Sequence, residues 1–69
     1  MERIPVSSSM IRSIGYDAES QILEIEFCKG GVYQYSEVPQ AEYDSLMATD
    51  SHGKYFLGNI KERYATAKM

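Results

Sequence analysis

His52 is the chain's only imidazole and Cys28 its only thiol. A nucleophile and its base must lie within hydrogen-bond reach, and nothing in the spacing requires the turn around Cys28 to meet the segment around His52. His52 reads as a polar residue at a helix start. Cys28, beside Lys29 and two glycines, reads as an incidental turn or strand-end thiol. One cysteine and one histidine give neither a disulfide nor a zinc ligand set. Glu24 and Glu26 point to one side of a strand about 7 Å apart, a spacing open to a carboxylate pair. Their alternation with Leu23, Ile25 and Phe27 reads instead as the wet face of that strand. Gly30-Gly31 lacks the following helix, the Lys and the Ser/Thr of a phosphate-binding loop. No feature supports an enzyme, and no metal or cofactor is expected.

Two constellations remain. Lys54, Lys61, Arg63 and Tyr64 gather cations and a ring near the C-terminus, and Tyr33 and Tyr35 alternate in the middle of the chain. Rings interleaved with basic residues suit single-stranded nucleic acid, because every base offers a face to stack on. Read as one helix, the C-terminal segment places Lys54 and Lys61 two turns apart on one face, able to follow a phosphate track. Spacing alone favours the plainer reading, in which these charges solvate a terminal helix and complement its dipole.

The elements that would position these residues follow from periodicity. SSMIRSIGY reads as a first strand with Met10, Ile14 and Tyr16 on one side, interrupted by Arg12, and DAESQ is a polar turn. QILEIEF is a half-buried strand, dry on the Leu23, Ile25 and Phe27 side. If Cys28-Lys29-Gly30 is a three-residue loop with a left-handed Gly30, Ile25 faces Tyr33 and Leu23 faces Tyr35, which puts both tyrosines on the apolar side. A two-residue turn at Lys29-Gly30 shifts the pairing by one and puts them on the wet side, opposite the glutamates. The first register joins the apolar pattern of both strands and is preferred.

Pro39 suits a helix start, and Tyr43, Leu46 and Met47 make the apolar stripe of a short helix. Asp50 or Ser51 can cap a second helix over SHGKYFLGNIKERYATAK, with Phe56, Ile60 and Tyr64 spaced by four. In it Gly58 is a place where a neighbour could approach closely. The expected fold is α+β: a three-stranded antiparallel β-meander followed by two short α-helices packed on one face.

Sixty-nine residues make a single domain, 1–69, near the lower limit for one hydrophobic core. No run approaches the roughly 18 apolar residues of a membrane span, the start lacks a signal peptide's pattern, and a lone thiol suits a reducing compartment, so a soluble cytoplasmic protein is expected. The net charge of −3 is uneven: residues 1–16 carry +1, residues 17–50 carry −7 and residues 51–69 carry +3. A polyanion would be repelled by most of the molecule and attracted only near the C-terminal segment.

Taken in order, SSMIRSIGYD, LEIEF, GGVYQYSEVP, YDSLMATDSHGKYF and NIKERY resemble the KTSC domain family. These small domains are named for their occurrence at the C-terminus of some lysyl-tRNA synthetases, and they also occur as stand-alone bacterial and phage-type proteins. The resemblance runs from about Val6 to Tyr64. Its carriers are Ser8-Ser9, Gly15-Tyr16-Asp17, Tyr33 and Tyr35, Val38-Pro39, and Gly53 with Tyr55-Phe56. The family often has Asn directly after Tyr-Phe, where this chain has Leu57, and a more basic C-terminal end than ATAKM. The resemblance implies no activity, and association with tRNA-handling enzymes points to RNA. The functional expectation is a small non-enzymatic binding module for RNA, tRNA or single-stranded nucleic acid, using Tyr33, Tyr35, Lys54, Lys61, Arg63 and Tyr64. The alternative is a protein-interaction module that docks a partner or a second copy of itself.

Overall fold

The computed structural model describes residues 2–69. Five strands form one antiparallel sheet in sequential order: β1 (Arg3–Pro5), β2 (Ile11–Asp17), β3 (Ile22–Phe27), β4 (Val32–Tyr35) and β5 (Thr66–Lys68). The helices α1 (Gln40–Ala48) and α2 (His52–Asn59) lie between β4 and β5 in the chain. The α+β architecture is as expected, and the three-stranded meander at its centre gains one strand at each edge.

The arrangement of β2 depends on a bulge. Ile11 faces Phe27 and Ser13 faces Glu26, so Arg12 is the extra residue between them. A bulge puts two neighbours on one partner and resets the alternation. Arg12 therefore points to solvent while Ile11 and Ile14 are both fully buried. This resolves the interruption that Arg12 makes in the strand's period.

The hairpin from β3 to β4 takes the three-residue loop. The Phe27 N–H donates to the Gly31 carbonyl at 3.1 Å, the Gly30 N–H donates to the Phe27 carbonyl at 2.9 Å, and Gly30 has φ +105. Ile25 then faces Tyr33 and Leu23 faces Tyr35. Both tyrosines lie on the apolar side, where Leu46 of α1 and Phe56 of α2 close the core with Ile11, Ile14, Leu23 and Ile25.

The second helix is shorter than its apolar spacing suggests. It stops at Asn59, the Ile60 and Lys61 N–H groups both return to the Phe56 carbonyl at 3.0 and 2.9 Å, and residues 60–64 turn the chain back. The remaining residues pair with β4, Thr66 opposite Tyr35 and Lys68 opposite Tyr33. Ala and Lys favour a helix there, but the open edge of β4 offers a ladder to close, and tertiary pairing overrides the local preference. Lys61 is consequently off the helix and no longer shares a helical face with Lys54. A Cβ on Gly58 would meet nothing within 4 Å, so the close approach expected at that glycine is absent.

The other face of the sheet is polar and without a covering element. There the Arg3 guanidinium bonds the Glu24 carboxylate and donates to Ser13 Oγ at 3.1 Å. The Ser13 hydroxyl donates to Glu26 at 2.9 Å, and Gln34 donates to Glu24 at 3.1 Å. Glu24, expected to be wet, is only 5% exposed because β1 and Gln34 close over it. Its burial pushes the carboxyl pKa up, yet the hydrogen bonds from Gln34 and Arg3 outweigh burial and hold it below the ordinary glutamate value.

Candidate functional site

Between α2 and the β4–β5 side of the sheet runs an open cleft of about 430 Å³. Its floor is a chain of rings set edge to face. Tyr33 meets Phe27 at 5.5 Å between centroids, Phe27 meets Phe56 at 5.3 Å, and Phe56 meets Tyr35 at 5.5 Å. Such pairs favour their quadrupoles as well as burying area. Met10, Leu57, Lys61 and Thr66 complete the lining, and none of the lining residues is acidic. Lys68 lies with its ammonium 6.0 Å from the centre of the Tyr33 ring, a cation–π distance.

The two tyrosines differ in exposure. Tyr35 is 4% exposed and belongs to the core, whereas the Tyr33 ring is half-buried and packs against the core from outside. Burial raises the Tyr35 hydroxyl above its ordinary pKa, with Thr66 partly offsetting the shift. The partly exposed rings of the cleft are therefore Tyr33 and Phe27, set edge to face. A cation stands at each end: Lys68 at the Tyr33 end, and Lys61 at the Phe56 end, where its own N–H returns to the Phe56 carbonyl.

The six residues singled out from the sequence divide among three places. Tyr33, Tyr35 and Lys61 line this cleft. Lys54 lies in a polar hollow of about 300 Å³ at the start of α2, with Ser7, Ser8 and Ser9 across from it. Ser8 Oγ there already accepts the Met10 and Ile11 N–H groups, both at 3.2 Å, as a turn-forming hydroxyl does. His52 sits at the same helix start, its Nδ1 2.8 Å from the Leu46 carbonyl. Tyr64 and Arg63 turn to Glu42 on α1, which accepts the Tyr64 hydroxyl at 2.9 Å and the Tyr55 hydroxyl as well. Arg63 stands 3.9 Å from the same carboxylate with 64% of its side chain exposed, which makes for a weak pair. Both hydroxyls are raised above their ordinary pKa: Tyr55 chiefly by its bond to Glu42, Tyr64 chiefly by burial and then by Glu42. This cluster ties α1 to the segment after α2.

Lys68, Phe27 and Phe56 join the cleft without having been read as site residues. Lys68 had a signal in the alternation of Tyr64, Thr66 and Lys68, which has a strand's period of two; helix-forming neighbours masked it. Phe27 and Phe56 look like ordinary core in the sequence; Phe56 is buried core beneath the cleft, and Phe27 is half-buried at its floor. Among the described residues, no group of three or more His, Cys, Asp or Glu could hold a metal ion, and no helix is long and apolar enough to cross a membrane.

Residues 7–64 match the KTSC domain family. An uncharacterised protein of Stutzerimonas stutzeri is 46% identical over 56 residues, which is 81% of this chain and 79% of that protein. A protein of Tsukamurella paurometabola is 43% identical over 65 residues, covering 94% of this chain and 97% of its own length. A lysine–tRNA ligase of Nostoc punctiforme is 36% identical over 56 residues, which is 81% of this chain but 10% of that enzyme. The crystal structure of a KTSC domain protein from Yersinia pestis superposes with a TM-score of 0.97 at 44% identity, covering 99% of this chain and 96% of that one. With the strands, the Tyr33/Tyr35 register and the serine turn at Ser8 in place, the matched segment spans the whole folded core, and the chain belongs to the KTSC domain family.

Proposed function

We propose that this domain is a non-enzymatic binding module that takes single-stranded RNA in the cleft between α2 and β4. One observation carries the reading: an aromatic floor with the half-buried rings of Tyr33 and Phe27, a lysine at each end and no carboxylate in the lining. That combination suits a stacked base with phosphate beside it. The uncovered sheet face, which other folds use as a stacking platform, is lined by Arg3, Arg12, Ser13, Glu24, Glu26 and Gln34, with the carboxylates matched by the arginines, and these side chains offer no ring to stack on. The related segment of the Nostoc punctiforme lysine–tRNA ligase, a tenth of an enzyme that acts on tRNA, supports RNA as the ligand class. The single thiol, Cys28, suits a cytoplasmic setting where it stays reduced.

The overall charge of −3 favours a different reading, a docking module for a protein, and Leu57, 50% exposed at the cleft, is the observation on its side. Salt and mutation separate the two. Fluorescence polarisation with a labelled single-stranded RNA hexamer at low salt should show saturable binding that weakens in Lys61→Ala and in Lys68→Ala. Lys54→Ala, in the separate serine hollow, should bind as the parent does. A flat titration at low ionic strength, where phosphate attraction is strongest, would remove RNA as the ligand.

A further inference from the structure

The extent of the cleft and the placement of its charges limit how much of an RNA strand it can hold. We infer that the cleft is a one-nucleotide site, seating a single base on Tyr33 with its two flanking phosphates at Lys61 and Lys68, and that it does not track along a strand. The inference rests on the RNA reading of the cleft and narrows it to a footprint.

Three observations carry it. The cleft, at about 430 Å³, is of small-ligand size, near the lower end of the roughly 300–1,000 Å³ typical of such sites. Of the four rings Tyr35 and Phe56 are buried, and the half-buried Tyr33 and Phe27 meet edge to face, so their faces are not coplanar and give no platform for two successive bases. A strand-tracking site needs several open ring faces, one for each base. The chain's five other cations are absent from the cleft lining: Arg3 is bonded to Glu24 on the opposite sheet face with Arg12 beside it, Arg63 turns to Glu42, Lys54 lines the serine hollow, and Lys29 stands in the exposed β3–β4 turn. Past the two lysines an extended strand would pass over a molecule whose middle segment, residues 17–50, carries −7. Added nucleotides would meet repulsion rather than new contacts.

The test is a length series read by NMR titration of the Tyr33 ring and the Lys68 side chain, with uridine 5′-monophosphate, uridine 3′,5′-bisphosphate, a uridine trinucleotide and a hexamer. The bisphosphate carries both flanking phosphates and should bind within about threefold of the hexamer once the hexamer's several registers are allowed for. The monophosphate, lacking one phosphate, should bind several-fold more weakly. With two phosphates neutralised, log K against log salt should have a slope of about −1.4, from roughly −0.7 per phosphate on a single strand. Affinity that keeps climbing from one to six nucleotides, or a slope of about −3 or steeper, would overturn the one-nucleotide footprint while leaving RNA as the ligand. If none of the four binds but an acidic peptide with a phenylalanine anchor shifts the same resonances, the footprint and the RNA reading fall together.

Discussion

Tyr33 and Tyr35 are two residues apart on one side of one strand, yet they do different work. Phe56 lies against the Tyr35 ring at 5.5 Å within the core, while Tyr33 packs edge to face on the half-buried Phe27 and has the Lys68 ammonium 6.0 Å from its ring centre. Removing the Tyr35 ring should cost about 3–5 kcal/mol, as large-to-small core changes do. That is close to the whole stability a domain of this size draws from its core, so Tyr35→Ala should be largely unfolded at 25 °C. Tyr33→Ala gives up a ring that is only partly covered and should cost less, about 1.5–3 kcal/mol, keeping a cooperative urea transition by far-ultraviolet circular dichroism. Equal losses in the two variants would contradict this division of labour. The side on which the rings lie is legible in the residues themselves, since Leu23, Ile25 and Phe27 set a period that Gly30 carries across the turn. How deeply each ring is covered is not, because that depends on where α2 crosses the sheet.

At the scale of elements, the two outer strands carry the weakest sequence signal, three exposed residues each. Arg3–Pro5 is three residues with a proline and no alternation, and it gains its place by what Arg3 reaches: Ser13 on β2 and Glu24 on β3. Glu24 and Glu26 alternate with apolar residues as a solvated face does, and no local pattern says that a residue twenty-one positions earlier will cover one of them. Gln34 on β4 completes the grip on Glu24, so one carboxylate on β3 ties side chains of β1 and β4 to it. Burial opposes the charge, but the bonds from Gln34 and Arg3 prevail and hold its pKa below the ordinary glutamate value. A folded-state pKa below the unfolded one means stability that is present above the unfolded value, about 4.3, and lost as pH falls through the lower folded value. Arg3→Ala leaves the buried carboxylate with Gln34 alone and should cost about 1–3 kcal/mol at pH 7. The same change raises the folded pKa of Glu24, so the variant should lose its carboxylate contribution at higher pH than the parent, and the gap between them should narrow in acid. Urea midpoints from pH 7 down to pH 3 would show it. Parallel curves with a constant gap would mean that Arg3 acts through packing and not through the charge of Glu24.

Across the whole molecule, the core and the site are built on different parts of the chain. Every buried apolar side chain falls between Ile11 and Ile60, and β1 and β5 are exposed along their length. The match to the family likewise covers residues 7–64 and omits both outer strands, although the Yersinia pestis structure superposes over 99% of the chain. β5 thus adds hydrogen bonds more than apolar burial: the Ser36 N–H donates to the Ala65 carbonyl at 3.0 Å and the Met69 N–H to the Val32 carbonyl at 2.8 Å, with the Gln34–Ala67 pair between. Ending the chain after Tyr64 removes those bonds, each worth about 0.5–1.5 kcal/mol net, and releases the ordering entropy of five residues, which offsets much of the loss. The truncated domain should stay folded, with its core methyl resonances dispersed and its stability lower by about 1–2 kcal/mol. It should nevertheless lose most of its affinity for RNA, because Thr66 leaves the cleft wall and Lys68 leaves the Tyr33 ring. It should also associate more readily at high concentration, since β4 becomes an edge without the short, lysine-bearing strand that now covers it. A truncated chain that folds and still binds the hexamer like the parent would place the ligand away from β5 and remove Lys68 from the site. A truncated chain that fails to fold would show that the fifth strand belongs to the core's stability after all, against the burial pattern of its three residues.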